Sequence, residues 1–384
     1  NRFLKTAGLE LERRAGRAVY GSVVHPLPID PGLFLPGDSR SPIKNGACIN
    51  VIRHGDHILA LGEANAAYEI DERLETLGPW KAGGRQPVKM GAHNHVHPRT
   101  GDLYALEYSV QSPTVKFHRF NPSGLMQDTR ALDLPAPMMI HDFVLTQNNI
   151  VLLAGPAVFD FEAARRTGGA PLQWRPEMGM TIAVLPLAGG NPRWLKGDPF
   201  FVYHFANGFE REKAIVIDYV HHENFTLDGG DRTSFRRLTI HPDRTGYRVD
   251  LISSEPTEFP TINRAREATP TRYVYTPVRT ASLLGKHAPG AIFNCLVKTD
   301  METGRVAKYD AGDQILGEAV FIPRPGCHHE DDGYLGSFAY DPARHLSSFI
   351  LLNAQRIEEG PECVIRMPQR VPQGLHGNWM ARLA

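Results

Sequence analysis

The sequence predicts an all-β fold, a β-propeller or a large sandwich made of many short strands. Three observations carry that reading. Short apolar or alternating runs recur along the whole chain, turn sequences punctuate them, and few stretches keep a helical period among 384 residues that include 36 glycines and 30 prolines. The strand-like runs fall at residues 57–61, 102–108, 114–118, 149–153, 180–184, 214–217, 334–340 and 348–352. Turns such as Asn121-Pro122-Ser123-Gly124, Met301-Glu302-Thr303-Gly304 and Asp341-Pro342-Ala343-Arg344 separate them. Only residues 161–166 and 262–269 read as helical or irregular. No linker interrupts the pattern, so residues 1–384 read as a single domain.

Composition excludes several classes. With 42 basic and 42 acidic residues and no basic block, nucleic acid is not an expected partner. No apolar run reaches the roughly 18 residues of a membrane span, and no signal-peptide pattern opens the chain. Cys48, Cys295, Cys327 and Cys363 are scattered, without metal or redox spacing, which fits reduced thiols in the cytoplasm.

Histidine is the residue type that points to chemistry. Of 17 histidines, His25, His54, His57, His118, His241, His287 and His345 stand singly in polar or turn settings and read as surface residues. His221-His222 and His328-His329 are adjacent, so each pair offers one side chain to a given site on a strand. In Ala92-His93-Asn94-His95-Val96-His97-Pro98 an extended backbone would turn His93, His95 and His97 to one face, a set that suits zinc or iron. The same pattern opens metallohydrolase sites in which zinc activates water. His141, His204 and His376 each interrupt apolar, aromatic or glycine-rich sequence. Taken singly, each reads as a satisfied core histidine. Taken together, at separations of 48, 63 and 172 residues, they could converge with His93 on a propeller axis.

An ordered set of motifs resembles the carotenoid cleavage oxygenases, the family of carotenoid and apocarotenoid dioxygenases, the retinal isomerohydrolase and the lignostilbene dioxygenases. The set runs from Arg14-Ala15-Gly16-Arg17-Ala18-Val19-Tyr20 through Ala60-Leu61-Gly62-Glu63, the His93 motif ending Pro98-Arg99-Thr100-Gly101, and His141-Asp142-Phe143. It continues with His204-Phe205-Ala206-Asn207, Glu258-Phe259-Pro260, Gly317-Glu318-Ala319-Val320, Glu330-Asp331-Asp332-Gly333-Tyr334 and the segment 372–377. The resemblance implies a seven-bladed β-propeller with a helical and loop dome over the face that bears Fe(II). It implies His93, His141, His204 and His376 as ligands, and Glu63, Glu258 and Glu318 as outer carboxylates serving His141, His204 and His376 in some order. Four neutral ligands leave the metal charge uncompensated, so carboxylates one shell out are needed to balance it and to fix the imidazole tautomers.

The sequence departs from the family in places. Asn94 stands where the family has proline and His97 where it has aspartate, so His95 and His97 are not matched as ligands. Ile49 replaces a threonine that lies near an open iron position in relatives, and would narrow O2 access there. The chain is also short before the first histidine relative to the family. The implied reaction splits a C=C bond of an apolar polyene with O2 into two carbonyl products, with Ile49, Phe143, Phe205 and Phe259 near substrate or O2. The lysine that stilbene-cleaving relatives carry near the first glutamate has no counterpart at Gly62, which favours a carotenoid or apocarotenoid over a stilbene. A cytoplasmic protein with peripheral membrane contact for substrate uptake is expected. A zinc hydrolase on His93, His95 and His97, or a propeller that binds an apolar ligand without catalysis, are the other readings.

Overall fold

In the computed structural model, residues 2–21, 27–35, 44–63, 65–226, 232–280 and 292–381 are described. His25 and His287, read above as surface histidines, lie outside them. The chain forms two compact units, one of Asn1–Asn94, Thr100–His141 and Ala157–Arg175, the other of His95–Arg99, Asp142–Pro156 and Pro176–Ala384.

In the first unit, Asn50–His54, His57–Leu61, Tyr68–Ile70 and Thr76–Pro79 form an antiparallel meander. His54 pairs with His57, leaving a two-residue turn in which Gly55 takes φ +56°. A side chain there would meet the Pro122 carbonyl, so glycine is required on two counts. A second sheet is built on Leu103–Ser109, Ser112–Phe120 and Met126–Asp133. Alternate residues of these strands turn inward, and Leu59, Leu61, Met90, Leu103, Ala105 and Phe120 make one buried cluster. His54 and His118, expected at the surface, are buried: His54 Nε2 meets the Asn121 carbonyl at 2.7 Å, and His118 lies between Glu107 and Thr129. Partners brought in from other strands and turns make their burial tolerable.

The second unit has four sheets. Val144–Leu145, Asn149–Ala154, Met180–Pro186 and Arg193–Gly197 form the first, and Phe205–Arg211, Ala214–His222, Thr233–Ile240 and Tyr247–Ser253 the second. Their facing sides share a core of Val144, Ile182, Leu195, Ile217, Tyr219 and Leu238. Each such aliphatic side chain contributes about 1.5–3 kcal/mol on full burial. Gly208 sits where Val144 presses closest, with no room for a Cβ. Tyr273–Val278, Cys295–Asp300 and Val306–Asp310 form the third sheet. In the fourth, Gly333–Asp341 pairs with Ile315–Leu316, Val320–Pro323 and Leu346–Asn353, and Pro361–Arg366 closes the edge.

The fold is therefore all-β, with six propeller-type blades among the described residues rather than the seven expected. The strands are consumed three to five at a time by six sheets, and no repeat in the sequence could have fixed that count. The expected helical cover is also slight. Among the described residues two short α-helices occur, Ala7–Ala15 and Phe161–Thr167, the latter started by Asp160 as N-cap and ended by Gly168 in the left-handed region. Residues 262–269 contribute a single 3₁₀ turn, Arg264–Arg266.

Candidate metal centre

Three of the four histidines singled out by sequence stand immediately or shortly before a first blade strand. His93 precedes Asn94–Val96, His141 precedes Val144–Leu145, and His204 precedes Phe205–Arg211. His376 lies in the extended segment after the last strand, Pro361–Arg366. The backbone of His204 is fixed by its carbonyl, which accepts from the Val220 amide at 3.1 Å.

The imidazoles meet in pairs, His93 with His141 in the first unit and His204 with His376 in the second. His93 and His141 approach Nε2 to Nε2 at 3.1 Å, and His204 and His376 at 3.0 Å. The far nitrogens of three rings face carboxylates. Nδ1 of His141 is 2.8 Å from Glu63 Oε2, Nδ1 of His204 bonds Glu258 Oε2, and Nδ1 of His376 is 3.0 Å from Glu318 Oε1. The second oxygen of Glu318 accepts from the Gly377 amide at 2.7 Å.

The hydrogen bonds to His204 and His376 fix the tautomers of those two rings. An imidazole that donates Nδ1–H to a carboxylate keeps a bare lone pair on Nε2. In His204 and His376 two such lone pairs then face each other at 3.0 Å, an arrangement that repels unless a cation sits between them. Nitrogens about 2.0–2.1 Å from one metal ion, at a right angle, lie about 3 Å apart, so the spacing is that of adjacent ligands. The residues present fit a metal ion.

One aromatic ring, Phe259, lies against two of the four histidines. Phe259 lies 5.0 Å from the His204 ring and 5.3 Å from that of His376, on a backbone with φ +50°, which is rare for a residue with a side chain. Phe143 is fully buried, and Phe205 packs against the core shared by two blades. Ile49 packs against the Leu59–Leu61–Met90 cluster and donates its amide to the Leu61 carbonyl. A cavity of about 460 Å³ opens beside His376 and Glu318, with Val320, Phe338, Phe349 and Trp379 among its apolar walls.

His95 and His97 do not join a zinc site with His93. His95 spans Glu267 at 2.6 Å and Asp142 at 3.1 Å, its ring edge on Phe143. Burial alone would lower its pKa, but the hydrogen bonds and charges of Asp142 and Glu267 push it up to about 10. His97 Nε2 meets the Gln147 carbonyl at 3.0 Å. The strand is too short to hold His93 in the alternation that would align all three, since it begins at Asn94. Sequence reasoning also missed Glu267 and His222 as buried partners. Glu267 lay in a segment read as irregular or helical, and His222 was read only as one of an adjacent pair that offers one side chain to a given site. Both His221 and His222 are buried.

Histidines backed by outer carboxylates, on an all-β frame, are the arrangement of a metal-binding site. The chain belongs to the retinal pigment epithelial membrane protein family, whose model matches residues 1–381, and it is an oxygenase of the carotenoid cleavage type. It is 30% identical over 392 residues to a carotenoid cleavage oxygenase of Mycobacterium tuberculosis, covering 88% of this chain and 77% of that one. It is 28% identical over 410 residues to the apocarotenoid-15,15'-oxygenase of Synechocystis, covering 99% and 81%. Among solved structures, the lignostilbene dioxygenase of Pseudomonas brassicacearum superposes with a TM-score of 0.89 at 25% identity, covering 99% of this chain and 83% of that one.

Proposed function

We propose that His93, His141, His204 and His376 hold one Fe(II), and that the protein uses O2 to cleave one C=C bond of a carotenoid or apocarotenoid. The observation that carries this reading is the His204–His376 pair, whose Nε2 atoms face each other at 3.0 Å while both Nδ1 atoms are engaged by carboxylates. Ferrous iron, when bound, supplies the means of activating O2. Both oxygen atoms end in product: the double bond breaks, each of its carbons becomes a carbonyl carbon, and no outside reductant is consumed. The chain's own part is to fix the imidazoles through Glu63, Glu258 and Glu318, and to keep water from the reacting double bond with Phe143, Phe205 and Phe259. No side chain is required as a general base.

Gly62 supports the choice of an apocarotenoid over a stilbene. A Cβ at residue 62 would come 2.9 Å from the Ala47 amide nitrogen, so the position next to Glu63 has no room for a phenol-anchoring lysine without backbone movement. The likeness to a lignostilbene dioxygenase keeps the stilbene as the second reading. Such apolar substrates partition into lipid, and the proposal includes a cytoplasmic protein that touches a membrane surface to collect them. No helix among the described residues is long and apolar enough to cross one.

The test is product mass analysis under ¹⁸O2 with Fe(II)-loaded protein and a panel of apocarotenoids and stilbenes. Two labelled carbonyl fragments from an apocarotenoid meet the expectation. Turnover of stilbenes alone replaces the substrate, and full activity with zinc in place of iron overturns the reaction.

A further inference from the structure

We infer that His222 is a positioning residue of the metal centre: it holds the carboxylate that orients His204. The inference rests on the reading of His204 as a ligand.

Glu258 is buried and accepts three hydrogen bonds. Its Oε2 takes His204 Nδ1–H and the Phe259 amide, the latter at 2.6 Å. Its Oε1 takes His222 Nε2–H at 2.7 Å. The two oxygens are thus bound from opposite sides, and the carboxylate plane cannot turn without losing one imidazole. Glu318 solves the same problem with a backbone amide, Gly377. Glu258 solves it with a side chain, which makes its orientation open to substitution at a residue far from the ion.

His222 is itself held. It ends the strand Ala214–His222, and its backbone exchanges two 3.0 Å bonds with Phe201. Phe201 opens the segment that leads to His204, so the residue that steers Glu258 is tied to the same stretch of chain as the ligand it serves. The His222 ring stands edge-on to Tyr203 at 5.0 Å and to Phe201 at 6.5 Å.

Remove the Nε2–H donor and Oε1 becomes a buried acceptor without its partner. The carboxylate then turns to seek another donor, and the His204 ring loses the contact that sets its tautomer and angle. Outer partners of metal-bound histidines typically matter by about 10–100-fold in affinity. His222→Phe removes the donor while keeping a flat apolar ring between Tyr203 and Phe201. His222→Gln restores an N–H donor.

The experiment uses Co(II) as probe, read by its visible absorption and by competition with a chelator, on wild-type, His222→Phe, His222→Gln and His204→Ala proteins, with thermal melts alongside. The expected result is weakening of about 10–100-fold with shifted absorption bands in His222→Phe, and return of most affinity and of the band positions in His222→Gln. Wild-type affinity and spectrum in His222→Phe overturn the inference, as does equal impairment of the Gln variant. Should His222→Phe fail to fold, His222→Gln against His222→Met, equal in reach and differing in the donor, decides in the same way. Failure of the wild-type to bind one Co(II), or an unaffected site in His204→Ala, overturns instead the ligand reading on which the inference stands.

Discussion

Glu318→Gln and Glu63→Gln make the same chemical change at two outer carboxylates, and the structure says they should differ. Glu318 uses both oxygens, one for His376 Nδ1 at 3.0 Å and one for the Gly377 amide at 2.7 Å. A glutamine has one acceptor oxygen, so its NH2 must face either the imidazole N–H or the backbone N–H, donor against donor. His376 then shifts tautomer or turns, and the ion loses a ligand of the right basicity. Glu63 spends only Oε2 on His141, at 2.8 Å, and a glutamine can aim its oxygen there and leave the amide on the other side. Outer-partner losses run about 10–100-fold in metal affinity, or about 1.4–2.7 kcal/mol. The expectation is a value near the top of that span for Glu318→Gln and near the bottom for Glu63→Gln. Competition of each apoprotein with a chelator of known Fe(II) affinity reads both numbers. Equal losses, or the larger loss at Glu63, would refute the argument from acceptor count.

Four further outcomes follow from the geometry. His95→Ala leaves metal content near wild-type but lowers thermal stability by removing the bridge between Asp142 and Glu267; loss of metal with stability intact would place His95 among the ligands. Gly208→Ala drives a Cβ to 2.0 Å from Val144 Cγ1 and costs about 1–3 kcal/mol in urea unfolding, with Val144→Ala on the same background recovering part of it. His221 is held neutral, its pKa lowered to about 3 by burial and by the charges of Arg236 and His222. Above pH 6.5 it contributes nothing to the pH dependence. Below that, the unfolded chain takes up a proton that the folded one refuses, so stability falls by about 1.4 kcal/mol per pH unit down to about pH 3, and His221→Phe, which keeps the stack on Phe200, should flatten this limb. Ile49→Thr keeps the fold and strengthens nitric oxide binding to the ferrous protein; unchanged binding would leave Ile49 a packing residue of the Leu59–Leu61 cluster.

The strand content was legible because alternation is local. Runs at 57–61, 149–153 and 214–217 became His57–Leu61, Asn149–Ala154 and Ala214–His222, with the turn at Gly55 set by its own chemistry. The blade number was not legible, since it depends on which strands pair. Nothing local distinguishes Pro361–Arg366 as the closing edge of the last sheet from the first strand of another. At the site, His93, His141, His204 and His376 stood out through motif order, whereas spacing alone suggested the alternation of His93, His95 and His97. That alternation fails because the strand begins only at Asn94, and because Asp142 and Glu267, distant in sequence, claim His95. The burial of His54 and His118 was hidden for the same reason: their partners, Asn121 and Glu107, come from other strands or turns.

Phe259 joins two demands that pull against each other. Its φ of +50° is a conformation that glycine adopts freely and phenylalanine only with strain, on the order of 1–3 kcal/mol. That same bend sends the Phe259 amide to Glu258 and lays the ring against both His204 and His376. A glycine here would relax the loop and strip the apolar cover from two imidazoles. The position is therefore one where selection for a sturdier chain and selection for a working centre favour different residues. A search for thermostable variants that scored stability alone would be drawn to replace the side chain that the centre keeps at a cost.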